Sequence, residues 1–305
     1  MINLSTFLAL PPEEVASLVR QAGPQVCVFP INGTRRWYSL EVQDERSNYV
    51  SVSAKQYVRL FRLLFDHGID TILSPLFGKE LLNRGDEYTQ EALGGAAAIL
   101  RGDEFVSFFN AYGVRVRFYG DFRTVLSGMS FGPELINVID QLTASTESHT
   151  QYCLFFGLFA EDATEAVSRL AVEHFQKTGK VATRNEIVSA YYGENVAPAT
   201  LFIGFEKPAV FDYPLLNLGE ESLYFTSAPT PYMAQWTLRQ ILYDHLYTRR
   251  AADPDWFNQQ DLSSIRRAYR SKLMGQVLGV GERVLGIWLQ QGIIIEEGSQ
   301  HDTAG

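Results

Sequence analysis

Val26-Cys27-Val28-Phe29-Pro30-Ile31-Asn32-Gly33-Thr34-Arg35-Arg36-Trp37 is the stretch on which the rest of the chain turns. Four apolar residues in a row, Val26 to Phe29, predict a strand buried on both faces, because a half-exposed strand would alternate. Pro30 ends the run, and Asn32-Gly33 is a pair that tolerates left-handed backbone. Two guanidinium groups and an indole follow at once. In open α/β sheets, ligands sit outside the carboxyl ends of the strands. A glycine turn there bares backbone N–H groups, and adjacent arginines fork onto phosphate oxygens. The stretch reads as a phosphate or diphosphate site, with a solvated surface turn as the competing reading.

Moving outward, apolar runs at 69–73, 114–119, 152–159, 201–203 and 222–226 predict further strands. Between them lie helical patterns at 54–67, 79–100, 131–142 and 231–249, with last helices at 262–273 and 281–289. Asp162-Ala163-Thr164-Glu165 and Thr183-Arg184-Asn185-Glu186 are capping boxes. Residues 1–24 read as a helical cap opened by Pro11-Pro12, and 39–53 as a loop over the first strand's end. Strands alternating with helices define an α/β class with a mainly parallel central sheet flanked by helices. No composition break divides the chain, so one domain over 1–305 is expected, with a frayed tail at about 296–305.

A net charge of −9 on 305 residues argues against general affinity for nucleic acid or anionic membrane. Any anion site must then be a local basic pocket. No apolar run has the length of a membrane span and no signal sequence opens the chain, so a cytoplasmic protein is expected. Cys27 and Cys153 lie inside apolar runs and read as buried thiols. Twenty Phe, 15 Tyr and 4 Trp exceed what ordinary charge chemistry needs. Most are core, yet a ring-lined pocket suits a long hydrocarbon or a carbocation.

Several motifs fail on context. Gly128-Met129-Ser130-Phe131-Gly132 matches a nucleophile elbow, but the nearest expected strand ends eight residues earlier, at Gly120. Gly279-Val280-Gly281 lacks the third glycine of a dinucleotide turn. His174 shares a helical face with Val167, Leu170 and Ala171 and reads as a core histidine. There is no aspartate-rich run of the helical terpene cyclases.

Three segments together resemble the cis-prenyltransferase (undecaprenyl diphosphate synthase-like) family. They are Asn32–Trp37, Gly113-Val114-Arg115-Val116-Arg117-Phe118-Tyr119-Gly120-Asp121, and Leu223-Tyr224-Phe225-Thr226 followed by Tyr247-Thr248-Arg249-Arg250. The chain to about residue 290 is still more similar to an offshoot, the diterpene synthases that make tuberculosinol, its adenosine adduct or kolavelool. Phe29–Trp37, His67-Gly68-Ile69, Ser74-Pro75, Arg84-Gly85-Asp86 with Tyr88, Phe202–Phe205 and Ile241–His245 carry that likeness. The resemblance implies a cis-prenyltransferase-like fold, a homodimer, Mg²⁺, and a substrate supplied by an upstream class II diterpene cyclase. It implies ionisation of a bicyclic C20 allylic diphosphate of kolavenyl or halimadienyl type. Water then quenches the cation to a tertiary alcohol, as in a kolavelool-type synthase. Chain elongation, or a non-catalytic partner subunit, is the alternative.

Departures from the family shape that expectation. Elongating relatives hold a second diphosphate through arginines, whereas Leu201 to Phe225 contains none and Gly204 replaces the first. A diphosphate needs compensating cations, so elongation is disfavoured. Ser222 stands where the family has a metal-binding glutamate, and Asn32 where it has an aspartate. Asparagine keeps the shape and loses the charge. The chain then uses another acid such as Asp121, or carries a substitution that traps substrate, or is a non-catalytic subunit. By resemblance, Gly33, Thr34, Arg35 and Arg36 bind the diphosphate, Asn32 orients it, and Tyr49 and Tyr88 face the cation. Asp121 is the candidate Mg²⁺ ligand, and Arg84 with Asp86 an ion pair behind the site.

Overall fold

The computed structural model describes residues 2–23, 25–42, 48–251, 259–273, 277–290 and 292. Two short helices open the chain, α1 (Leu4–Ala9) and α2 (Pro12–Gln21), parted where Pro11 ends one and starts the next. There follow β1 (Val26–Val28), α3 (Thr34–Glu41), α4 (Tyr49–Asp66) and β2 (Thr71–Phe77). A 3₁₀ turn, Lys79–Arg84, leads to α5 (Asp86–Leu100), α6 (Asp103–Tyr112) and β3 (Val114–Tyr119). Next come α7 (Phe122–Ser127), α8 (Gly132–Ser145), β4 (Tyr152–Leu158), α9 (Ala163–Thr178) and α10 (Arg184–Tyr192). The chain continues through β5 (Leu201–Phe205), β6 (Ser222–Thr226) and α11 (Gln235–Tyr243). It ends with α12 (Gln259–Ala268), β7 (Gly281–Val284) and β8 (Ile287–Gln290).

Six strands form one all-parallel sheet in the order β3-β4-β2-β1-β5-β6, so the expected fold class holds. Every residue of β1 is buried, which is why its sequence does not alternate. One face of the sheet packs on α4, α5, α6 and α8 through a ring cluster of Phe61, Phe65, Phe105, Phe108, Phe109 and Phe156. The other face packs on α9 and α10 through Tyr119, Phe155, Tyr191 and Tyr192.

Five expectations need correction. Residues 39–53 are not a loop, because α3 starts directly after Gly33 and runs to Glu41. Their polar look reflects exposure, since only Thr34 and Trp37 of α3 are buried; residues 43–47 fall outside the described residues. α4 begins at Tyr49, earlier than its apolar face suggests, because the Asn48 side chain caps it by accepting the Val50 N–H at 2.8 Å. The helix expected over 79–100 breaks at Gly85, whose φ of +92° no helix accommodates. The helix expected over 281–289 is a hairpin, β7 paired antiparallel with β8. Leu285 and Gly286 both take positive φ, the two-residue turn that matches strand twist. His174 is half-buried rather than core and lies 3.7 Å from Glu186. The tail at 296–305 lies outside the described residues.

At the amino ends of the strands a buried polar knot ties the far part of the chain to β1. The His245 ring lies 2.9 Å from Ser222 Oγ and 3.2 Å from Gln25 Oε1, which also accepts from Thr200 Oγ1. Burial, reinforced by Arg250 and Arg249, lowers the His245 pKa to about 4. The imidazole is therefore neutral in the fold and would charge on unfolding. Its contribution is present above the ordinary histidine pKa and is lost as pH falls from about 6.5 towards 4. Melting temperature measured across that window is expected to drop more steeply in the wild type than in His245→Gln. Equal slopes would show that the histidine does not sense the pH.

Candidate active site

The site begins with the backbone of Gly33. Its φ is +74°, and a β-carbon there would stand 2.8 Å from Pro229 Cβ and 2.9 Å from Phe205 Cε1. Only glycine meets both demands. The turn is pinned from outside: the Asn32 N–H donates to Thr230 Oγ1 and the Thr230 N–H donates to Asn32 O, each at 3.1 Å. Held this way, the chain leaves β1 and enters α3 within a few residues. The first helical bond runs from the Trp37 N–H to Gly33 O. The amides of Thr34, Arg35 and Arg36 precede it and so open the helix without intrahelical partners. A helix N-terminus of that kind attracts anions.

Beside the turn opens a cleft of about 880 Å³, in the upper part of the range usual for small-molecule sites. Asn32, Arg35, Glu80, Arg84 and Tyr88 line its polar part. Tyr49, Val50 and Tyr57 of α4 form one wall, and Leu76 and Phe77 of β2 another. Phe105 and Phe156 belong to its aromatic lining, and Ala92, Gly94, Gly95, Ala96 and Ala98 of α5 contribute almost no side-chain bulk. A β-carbon on Gly95 would meet nothing within 4 Å, so the cleft extends to the helix backbone. Burial pushes the Tyr57 phenol up to about 12, so it stays protonated. Next to it lies the buried Thr34 hydroxyl, whose interaction with the phenol offsets part of that rise.

The two arginines of the motif part company. Arg35 lines the cleft, with its guanidinium 4.7 Å from the centre of the Tyr88 ring. Arg36 does not line it; both its Nη atoms lie 3.4 Å from Glu206 Oε1. A different arginine takes the second place in the cleft. Arg84 Nη1 donates to the Tyr88 hydroxyl at 2.9 Å and its guanidinium lies 5.3 Å from the same ring centre. Arg84 therefore does not pair with Asp86 as expected. Among the described residues neither Arg35 nor Arg84 has a carboxylate partner, whereas Arg36, Arg101, Arg115, Arg117, Arg123 and Arg169 each do.

Of the sequence-derived set, Asn32, Arg35, Tyr49 and Tyr88 meet in this one cleft, with Gly33 and Thr34 supporting it. Asp121 does not join them. It lines a separate cleft of about 620 Å³ with Arg117, Arg123, Asp140, Glu161 and Arg169. Glu80 and Glu91 are the carboxylates among the described residues of the first cleft. Nowhere among the described residues do three His, Cys, Asp or Glu side chains gather, although Mg²⁺ needs only one or two carboxylates beside substrate phosphates. Asp121, at the other cleft, would not hold a Mg²⁺ beside the Asn32 turn; in the first cleft Glu80 and Glu91 are the carboxylates that could. Ser130 is exposed on the turn between α7 and α8, with no strand leading into it, so Gly128–Gly132 is not a nucleophile elbow. No helix among the described residues is long and apolar enough to cross a membrane.

A six-stranded parallel sheet flanked by helices in this arrangement is the fold of the cis-prenyltransferases. Solved structures support this. Lavandulyl diphosphate synthase from Lavandula x intermedia, in complex with dimethylallyl diphosphate, matches with a TM-score of 0.59 at 13% identity, over 74% of this chain and 97% of that one. A probable undecaprenyl diphosphate synthase from Campylobacter jejuni gives 0.54 at 14%, over 75% and 97%. No family model matches the chain. Two characterised sequences do. Tuberculosinyl adenosine transferase of Mycobacterium tuberculosis is 42% identical over 295 residues, covering 96% of this chain and 99% of that protein. (+)-Kolavelool synthase of Herpetosiphon aurantiacus is 27% identical over 302 residues, covering 96% and 97%. The chain belongs to the family of these two proteins, built on the cis-prenyltransferase fold.

Gly94 and Gly95 test what α5 gives up for the cleft. Gly95→Ala is expected to raise stability by about 0.5–1 kcal/mol, the helix cost of glycine. Gly95→Leu, by contrast, is expected to fill the cleft and lower turnover of C20 diphosphates by at least about tenfold relative to shorter ones. A panel of C10 to C20 allylic diphosphates, with melting curves, checks both. An unchanged chain-length profile would place the hydrocarbon elsewhere.

Proposed function

We propose that the protein is a diterpenyl transferase that ionises a bicyclic C20 allylic diphosphate and hands the cation to a small acceptor. The observation that carries this reading is the pair of guanidiniums at the cleft, Arg35 and Arg84, left without carboxylates beside three open amides. Both guanidiniums are exposed while lining the cleft, so an arriving anion can reach them without displacing a carboxylate.

The chemistry follows from the residues. The amides of Thr34 and Arg35 and the two guanidiniums take the diphosphate and stabilise the charge that grows on it as the allylic C–O bond breaks. Asn32 orients it through a neutral carboxamide. The hydrocarbon lies along the Gly- and Ala-lined face of α5 towards Phe105 and Phe156, which exclude water from the cation. Tyr49 and Tyr88 present electron-rich rings to the positive carbon.

For the acceptor, the name of the 42% identical relative favours a purine nucleoside such as adenosine. Water, which gives a tertiary alcohol, is the second reading and is favoured by the name of the 27% identical relative. Chain elongation is disfavoured by the absence of any arginine from 201 to 225, where the loop carries Glu206 instead.

Arg35→Ala and Arg84→Ala are each expected to lower kcat/KM for a kolavenyl- or halimadienyl-type diphosphate about 10²-fold or more, with the fold intact. Diphosphate release at the wild-type rate in both variants would refute the anion site. Product mass spectra in ¹⁸O water, with and without adenosine, separate the acceptors. Label on the tertiary carbon means water; an unlabelled adduct means the nucleoside.

A further inference from the structure

Arg59 binds backbone where most arginines of this chain bind carboxylates. It lies on α4, the helix that brings Tyr49 and Tyr57 to the cleft, but it does not line the cleft itself. Its Nη2 donates to Pro231 O at 2.6 Å and its Nη1 to Met233 O at 3.0 Å. Its Nε donates to Gln56 Oε1 at 2.8 Å, one turn back on the same helix. Among the described residues it has no carboxylate partner. Hydrogen bonds from a charged donor are stronger than neutral ones, and the guanidinium fork directs two of them at one short segment.

That segment is a 3₁₀ turn, Thr230–Tyr232, with Met233 after it; Thr230, Pro231 and Met233 are buried. It is stiff. The Tyr232 N–H donates to Pro229 O and the Met233 N–H to Thr230 O, each at 2.9 Å, and the prolines at 229 and 231 restrict the backbone further. It also grips α3 at both ends. At the start, Thr230 makes the crossed bonds with Asn32 and Pro229 packs on Gly33. At the finish, the Tyr232 hydroxyl donates to Oε1 of Glu41, the last residue of α3. The helix that opens with the anion-attracting amides is therefore clasped by one rigid segment, and Arg59 fastens that segment to α4.

We propose that Arg59 is a positioning residue for ionisation, which acts through the Thr230–Tyr232 turn to set the α3 amides against the tyrosine wall of α4. The inference rests on the diterpenyl-transfer reading above. In that reading the allylic C–O bond breaks between the two helices. Its electron pair leaves with the diphosphate on the α3 side, and the positive carbon stays on the α4 side. Arg59 touches neither part of the substrate. Without it two carbonyls of a buried segment lose their donors, and the clasp is free to shift relative to α4. A displacement of about 1 Å in a positioned group costs about 10²-fold in rate.

The test uses the full-length protein, a halimadienyl-type diphosphate as donor and inorganic diphosphate as a binding probe. The kcat for diphosphate release, the inorganic diphosphate Kd and the melting temperature are measured separately. Arg59→Met, which keeps the stem and removes every donor, is expected to lower kcat about tenfold or more and raise that Kd about threefold or more. Arg59→Lys, which keeps the charge without the fork, should fold like the wild type and lose about threefold or more in kcat. Thr230→Val cuts the same path at its other end. Combined with Arg59→Met it should lower kcat no further than about twofold below the worse single variant, whereas independent structural damage would multiply the two losses. Arg62→Met removes a neighbouring α4 guanidinium that lies over Phe108 and Tyr112, and is expected to keep wild-type values. A wild-type kcat in folded Arg59→Met or in Arg59→Lys overturns the proposal, as do multiplied losses in the double variant. A wild type that binds inorganic diphosphate yet releases none from any C20 donor overturns the function. The Kd series then decides the clasp alone: a raised Kd in Arg59→Met supports it and an unchanged one overturns it. A wild type that does not bind inorganic diphosphate overturns both.

Discussion

The positive φ of Gly33 is the constraint from which the site follows. A strand that ended in ordinary extended backbone would carry its amides onward into a loop, where water would satisfy them. Here the chain reverses within one residue, and the crossed Asn32–Thr230 hydrogen bonds hold that reversal from a segment almost 200 positions away. The open amides of α3 are thus aimed before any ligand arrives, so binding an anion requires little reorganisation. The same closeness that forces glycine at position 33 places Phe205 and Pro229 against the turn. One backbone conformation therefore sets the geometry on both of its flanks.

Charge is distributed to match. The chain carries a net −9, and eight of its described arginines rest against carboxylates. Arg35 and Arg84 instead flank one tyrosine, whose ring supplies a weaker, partial compensation for two cations. That arrangement keeps both guanidiniums free to form bidentate bonds with an arriving anion. It also links anion capture to the ring that faces the hydrocarbon, because pulling either arginine towards a diphosphate changes what covers Tyr88.

The sequence made the strand, the turn and the cation-bearing helix start legible, because each has a local signature: an unbroken apolar run, an Asn-Gly pair, adjacent arginines. The boundaries of β3 were equally readable, since Gly113 and Gly120, both at positive φ, flank it. What local reading missed was partnership. That Arg36 belongs to Glu206, and that Arg84 rather than Arg36 joins Arg35 in the cleft, depends on contacts spanning 170 and about 50 positions. The hairpin at β7 and β8 was hidden for another reason. Its Leu285 takes a left-handed conformation that leucine rarely adopts, so no turn signal was present to read. Asp121 shows the opposite failure, a strand-end acid with the right neighbours in sequence that the sheet order places at a different cleft, beyond β4 and β2 from the turn.

The small residues of α5 complete the physical argument. A helix containing Gly94-Gly95-Ala96-Ala97-Ala98 gives up stability that longer side chains would provide, and its amphipathic pattern is blurred. The Ala97 side chain is fully buried against the core, yet its neighbours on the cleft side support nothing and fill nothing. Well-packed interiors do not keep such space unless something occupies it during function. The occupant must be apolar where Phe105 and Phe156 line the cleft and anionic where the amides and guanidiniums stand. A polycyclic hydrocarbon carrying one diphosphate meets both conditions, and no arginine lies between 201 and 225 to hold a second one.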